Sequence, residues 1–162
     1  MKNKQIGIGG LVKESAPPQE TETFYKIMIT RVPVVREKTY QLTSPNLVAK
    51  KYLEYFKKLD REHFEILHLD TKNKITAKEI ISIGSLNSSI VHPREVFKGA
   101  ILNNSASIIL LHNHPSGDTK PSREDISITQ RLIKAGEILG IKVIDHLILG
   151  DSFLSFKEEG II

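Results

Sequence analysis

The apolar run Ala106-Ser107-Ile108-Ile109-Leu110-Leu111 leads straight into His112-Asn113-His114-Pro115-Ser116-Gly117-Asp118-Thr119-Lys120-Pro121-Ser122-Arg123-Glu124-Asp125. No other junction in the chain constrains the fold as much. The run has the length and composition of a strand, so His112 and His114 fall at its carboxyl end. At i and i+2 on extended backbone, their side chains leave the same face. Pro115, Gly117 and Pro121 forbid a regular element beyond the strand, and a helical pattern resumes only at Ser122. The chain must therefore turn back over the strand end, and that turn can carry Asp125 to the two imidazoles. Two imidazoles and one carboxylate are a common ligand set for catalytic zinc, with a fourth tetrahedral position left for water. The pattern predicts one Zn2+ per chain on His112, His114 and Asp125, in a geometry suited to hydrolysis. Ser122 and Asp125 also fit a helix start, with Ser122 as N-cap and an acidic side chain near the positive end of the dipole. Capping alone, however, gives no reason for two histidines at the mouth of the preceding strand.

His112-x-His114, seven further residues, Ser122, two more and then Asp125 together resemble the signature of the JAMM (MPN/JAB) metallopeptidase family. Leu111-His-Asn-His-Pro-Ser-Gly-Asp118 and Asp145-His146-Leu-Ile-Leu-Gly150 resemble its RadC branch in particular, and the likeness runs from about Ser44 to Ile162. The resemblance implies a layered α/β (α+β) domain of JAB/MPN type and a zinc-dependent hydrolase acting on a peptide or protein substrate. Such chemistry needs a carboxylate to take the proton of the attacking water and pass it to the leaving amine. Spacing alone does not choose among Glu54, Glu62, Glu65, Glu79 and Glu95. The JAMM pattern takes its base from the segment between the first helix and the first strand, which implies Glu62, with Glu95 as the alternative. The family gives its matching serine, here Ser122, the part of steadying the oxyanion, which a fixed hydroxyl donor does best in the transition state. His146, after Asp145, is expected to line the site or orient a ligand without being one. His63, His68 and His92 have no partner at ligand spacing. Lys120 and Arg123 flank the proposed metal, where an acidic substrate tail or plain solvent would suit them equally.

Composition narrows the class. At 162 residues with 40% apolar and 26% charged residues, the chain suits one soluble domain, read as residues 24–162 behind a flexible tail at 1–23. No run approaches the ~20 apolar residues of a membrane span, and residues 1–7 lack the apolar core of a signal peptide. The absence of cysteine excludes disulfides and thiolate sites and fits the cytoplasm. It also excludes a zinc base deaminase, which needs at least two cysteine ligands. Residues 1–60 hold eleven Lys/Arg against six Asp/Glu, and residues 61–162 hold twelve against thirteen. The basic excess is therefore small and N-terminal, so any DNA association is expected to be weak and salt-dependent. The competing reading is a DNA-repair or recombination module with a structural or vestigial metal. Longer RadC-like proteins place a helix-hairpin-helix ahead of this domain, whereas here the corresponding space holds a short Gly/Pro-containing stretch. The oligomeric state is left open.

Hydrophobic periodicity and turn residues predict an edge strand over 24–35 around Pro33 and a helix from Ser44-Pro45 to about Leu59 that buries Leu47, Val48, Tyr52, Leu53, Tyr55 and Phe56. A hairpin of 64–69 with 75–83 follows, then a loop over 84–89 and a short extended piece to His92. A helix opened by Pro93 reaches Leu102, and the His-bearing strand comes next. The helix from Ser122 to Leu139 turns Ile126, Ile128, Thr129, Leu132, Ile133 and Ile138 inward, and strands at 142–149 and 153–156 close the chain. Helices alternating with strands, together with a hairpin, predict a mixed sheet flanked by helices.

Overall fold

A computed structural model of the chain describes residues 44–84 and 91–162. All of these lie within one compact unit, Val32–Ile162. The tail expected at 1–23, the edge strand at 24–35 and most of the loop at 84–89 lie outside the described residues. The elements are α1 (Pro45–Phe56), β1 (His63–Leu69), β2 (Ile75–Ile83), α2 (Pro93–Leu102), β3 (Ser107–Asn113), α3 (Arg123–Leu139), β4 (Lys142–Leu149) and β5 (Phe153–Ser155). They build one five-stranded sheet in the order β2-β1-β3-β4-β5. β3 and β4 run parallel and every other neighbouring pair antiparallel, so the sheet is mixed, as the pattern of elements implied.

Local chemistry explains the connections. The turn of the β1–β2 hairpin is closed by Asp70, whose Oδ1 accepts from the backbone of Lys72 and Lys74 at 2.8 and 2.9 Å. β3 and β4 are parallel and therefore need a crossover element, which α3 supplies. Each face of the sheet is then covered. Phe64, Ile66, Ile108 and Leu110 pack with Val96, Phe97 and Ala100 of α2 and Ile128 and Leu132 of α3. Leu67, Leu69, Ile109, Leu111, Leu147 and Leu149 pack with Val48, Tyr52 and Phe56 of α1. Covered on both sides, β1 and β3 are buried along their whole lengths, which is why β3 reads as a continuous apolar run. The alternation that turns Ile108 and Leu110 toward α2 and α3 brings His112 out beneath α3.

Three apolar residues depart from expectation. Ile138 is 86% exposed, because the inward stripe of α3 runs Ile128, Thr129, Leu132, Gly136 and leaves residue 138 on the far side. Leu47 and Tyr55 flank the inward stripe of α1 at 42% and 38% exposure. Helix α1 stops at Phe56, short of Leu59, and β3 runs on through Asn113, which draws His112 into the strand.

Candidate metal centre

The loop after β3 is pinned to the end of β4. His114 N donates to Leu149 O at 3.1 Å, Gly117 N donates to His114 O at 3.0 Å, and Asp151 N donates to Gly117 O at 2.9 Å. Gly117 turns at φ +85, in the left-handed region that glycine adopts without strain. At Gly150 the constraint is closeness, since a Cβ there would sit 2.2 Å from Gly117 O. Two glycines thus let the His114 turn lie directly on the neighbouring strand end.

Asp125 reaches the same place through a capping box. Its backbone N donates to Ser122 Oγ at 3.1 Å, and its Oδ2 accepts from Ser122 N at 2.7 Å and from the Ser122 hydroxyl at 2.6 Å. These bonds fix the carboxylate. Its Oδ1 lies 3.2 Å from His112 Nδ1, and its Oδ2 lies 3.6 Å from His114 Nε2. His112 is 1% exposed, yet neither ring nitrogen has a hydrogen-bond partner. His114 Nδ1 is 2.7 Å from Asp118 O. A carbonyl carries no proton, so Nδ1 is the donor and the lone pair of a neutral His114 ring sits on Nε2, facing the carboxylate. One ligand atom from each of His112, His114 and Asp125 lies within 4.8 Å of the others. Four ligands at zinc's ~2.0–2.1 Å bond length stand about 3.3 Å apart at the corners of a tetrahedron. The imidazole-to-carboxylate separations of 3.2 and 3.6 Å, made to different oxygens, lie near that figure, and the buried His112 ring offers nitrogens that no hydrogen bond occupies.

The electrostatics point the same way. Burial pushes the Asp125 carboxyl up, but the His112 and His114 imidazoles beside it, together with the Ser122 hydroxyl bonded to it, outweigh burial and hold the group well below the usual carboxylate range. His114 is raised above its ordinary value, first by the Asp125 carboxylate beside it, against burial, and further by the Asp118 carbonyl and the charges of Asp125 and Glu62. A fixed anion between two imidazoles attracts positive charge.

His146 lies fully buried one layer below, with Phe64 and Phe156 at ring-centre distances of 5.6 and 4.5 Å. The Thr129 hydroxyl donates to Asp125 O at 2.6 Å, so it accepts from His146 Nδ1 at 2.7 Å. Burial pushes His146 down to about 3, with His112 acting in the same direction, so the ring is neutral. Through Thr129, His146 supports the helix turn that carries Asp125.

The candidate glutamates are sorted by their surroundings. Glu65 is buried on the α1 face, accepting from Tyr55 Oη at 2.8 Å and Lys78 Nζ at 2.6 Å. Glu79 pairs with His68 at 3.2 Å, and Glu95 pairs with Lys98 at 2.7 Å at the start of α2. Glu54 pairs with Lys57 at 3.7 Å on the surface of α1. Of these five, only Glu62 acts on His114 through its charge. His92 caps α2, accepting from Arg94 N at 3.3 Å. Lys120 and Arg123 are exposed. Reading by ligand spacing passed over Asn113 and Thr129. The signal for Asn113 was available in strand alternation, which turns the residue between the histidines away from the metal face.

A profile of the RadC-like JAB domain covers residues 42–161. The chain belongs to the RadC-like JAB domain family. It is 51% identical over 156 residues to the UPF0758 protein of Caldanaerobacter subterraneus subsp. tengcongensis, covering 96% of this chain and 64% of that protein. It is 60% identical over 119 residues to the UPF0758 protein of Desulforamulus reducens, covering 73% and 52%. With the UPF0758 protein of Methanococcoides burtonii the identity is 55% over 123 residues, covering 75% and 54%. The chain thus spans about half to two-thirds of the length of these curated relatives. In this RadC-like JAB domain the His-His-Asp group could bind a metal, and no helix among the described residues is long and apolar enough to cross a membrane.

Proposed function

We propose that the domain is a zinc-dependent hydrolase of JAMM type that cleaves a peptide or isopeptide bond. One observation carries the reading: His114 Nε2 and the fixed Asp125 Oδ2 face each other at 3.6 Å, beside a buried His112 ring whose nitrogens no hydrogen bond occupies. A cation satisfies both, and His112 completes a three-ligand set. His112, His114 and Asp125 would hold the zinc, which would supply an acidified water and a Lewis acid for the scissile carbonyl. Glu62 takes the proton of the attacking water and delivers it to the leaving amine. Ser122 stands at the rim of the site with its hydroxyl proton on Asp125 Oδ2 in the resting arrangement. It serves as oxyanion donor by turning that proton toward the substrate oxygen as charge gathers there.

The test is Glu62→Gln, which keeps the shape of the side chain and all three ligands. The variant should retain zinc and its melting temperature while losing turnover of a peptide or isopeptide library by ~10²–10⁴-fold, the usual contribution of a general acid–base group. If zinc is lost as well, Glu62 is a ligand. Undiminished turnover would place the base elsewhere, with Glu95→Gln the next variant.

A further inference from the structure

Asn113, between the two histidines, is 2% exposed, and both ends of its amide are used. Its Oδ1 accepts from His63 N at 2.7 Å, and its Nδ2 donates to Arg61 O at 3.1 Å. The two bonds straddle Glu62. We propose that Asn113 is a positioning residue, a clamp that ties the Glu62 backbone to the metal-binding end of β3. The inference rests on the reading of Glu62 as the base.

The β1–β3 ladder ends at the pair Phe64 and His112. Beyond it, the Asn113 side chain takes over the pairing that backbone would otherwise make, and so carries the connection past Glu62. On the other side, Gly84 N donates to Glu62 O at 2.8 Å. The backbone of the base is thereby held from the β3 side and from the end of β2. An amide is needed here because the gap offers one backbone donor and one backbone acceptor. Aspartate would set an oxygen against Arg61 O, and serine cannot span both groups. These partners also fix which end of the amide is oxygen. Both neighbours of Asn113 are proposed ligands, so one residue sets the spacing between base and metal. A misplacement of about 1 Å in such a constellation can lower rate ~10²-fold.

The experiment loads cobalt(II), in place of zinc, into the full chain and follows its visible absorption with pH. The inflection reports ionisation at the open coordination position. Glu62→Gln should move that inflection if the carboxylate lies beside it. Asn113→Ala should move it in the same direction, with cobalt affinity reduced by less than the ~10-fold typical of residues that support a ligand directly. In the Glu62→Gln background, Asn113→Ala should add nothing, because it acts through Glu62. Should Asn113→Ala fail to fold, Asn113→Ser serves the same comparison. An inflection that stays at the parent position in the Asn113 variants, or moves equally without Glu62, overturns the inference alone. No effect of Glu62→Gln overturns the assignment of the base and this inference with it.

Discussion

Asp125 shows how one residue in this domain serves two purposes. Its carboxylate closes the capping box of α3, and the same bonds aim its oxygens at His112 and His114. The helix start and the His-His-Asp group are therefore one structure, and neither reading of Ser122-x-x-Asp125 displaces the other. Behind it, Thr129 links the neutral His146 ring to the backbone of Asp125. Thr129→Val should weaken zinc binding ~10-fold or more, as loss of an outer partner of a ligand typically does. It should also lower stability by ~1–3 kcal/mol, because the His146 Nδ1–H is left buried without an acceptor. Competition with a chelator and thermal denaturation measure the two effects, and Thr129→Ser should restore both. Parent-like zinc affinity in Thr129→Val would show that the strut does not position the ligand.

Among the elements, β1 carries a titratable residue away from the site. His68 is fully buried, with Nδ1 3.0 Å from Ser105 Oγ and Nε2 3.2 Å from Glu79. Burial lowers it below its ordinary 6.5, against the pull of Glu79. A base with a depressed folded-state value binds its proton more readily when unfolded. Its contribution to stability is therefore present above about 6.5 and is lost as pH falls below that, toward the folded value. In chelator, the parent should lose more stability than His68→Gln between pH 7 and 5, measured by denaturant titration. His114 is shifted in the opposite direction, and its contribution is common to both proteins and cancels in the difference. Equal losses would remove His68 from the balance. The hairpin at Asp70-Thr71-Lys72-Asn73, the Pro93 helix start and strand β4 were readable from the sequence because turn residues and strand-length runs are local signals. The exposure of Ile138 was not. A helix of this length has apolar residues on more than one face, and its packing on α2 and the sheet, through Ile128, Leu132 and Gly136, selects the buried one. Strand alternation could turn Asn113 away from the histidine face, but its bonds to His63 N and Arg61 O join residues about fifty apart and leave no local signal.

At the scale of the whole molecule, three layers meet at one end of the sheet. The strand ends of β3 and β4, the N-terminus of α3 and the segment entering β1 converge where His112, His114, Asp125 and Glu62 stand. The layered mixed sheet and the gathering of His112, His114 and Asp125 could be anticipated, because a strand that ends in His-x-His and is followed by a crossover helix has few ways to fold. The adjacency of β1 and β3 could not, since it depends on packing across α2 and leaves no mark on either strand. The arrangement of these layers makes sense as a scaffold for a metal ion, and metal content tests that directly. The full chain, purified without added metal, should contain about one zinc per chain, and His112→Ala and His114→Ala should each lose it, because two remaining ligands hold the ion too weakly. A parent that takes up no zinc even when it is offered, or either variant that keeps a full equivalent, would contradict the assignment.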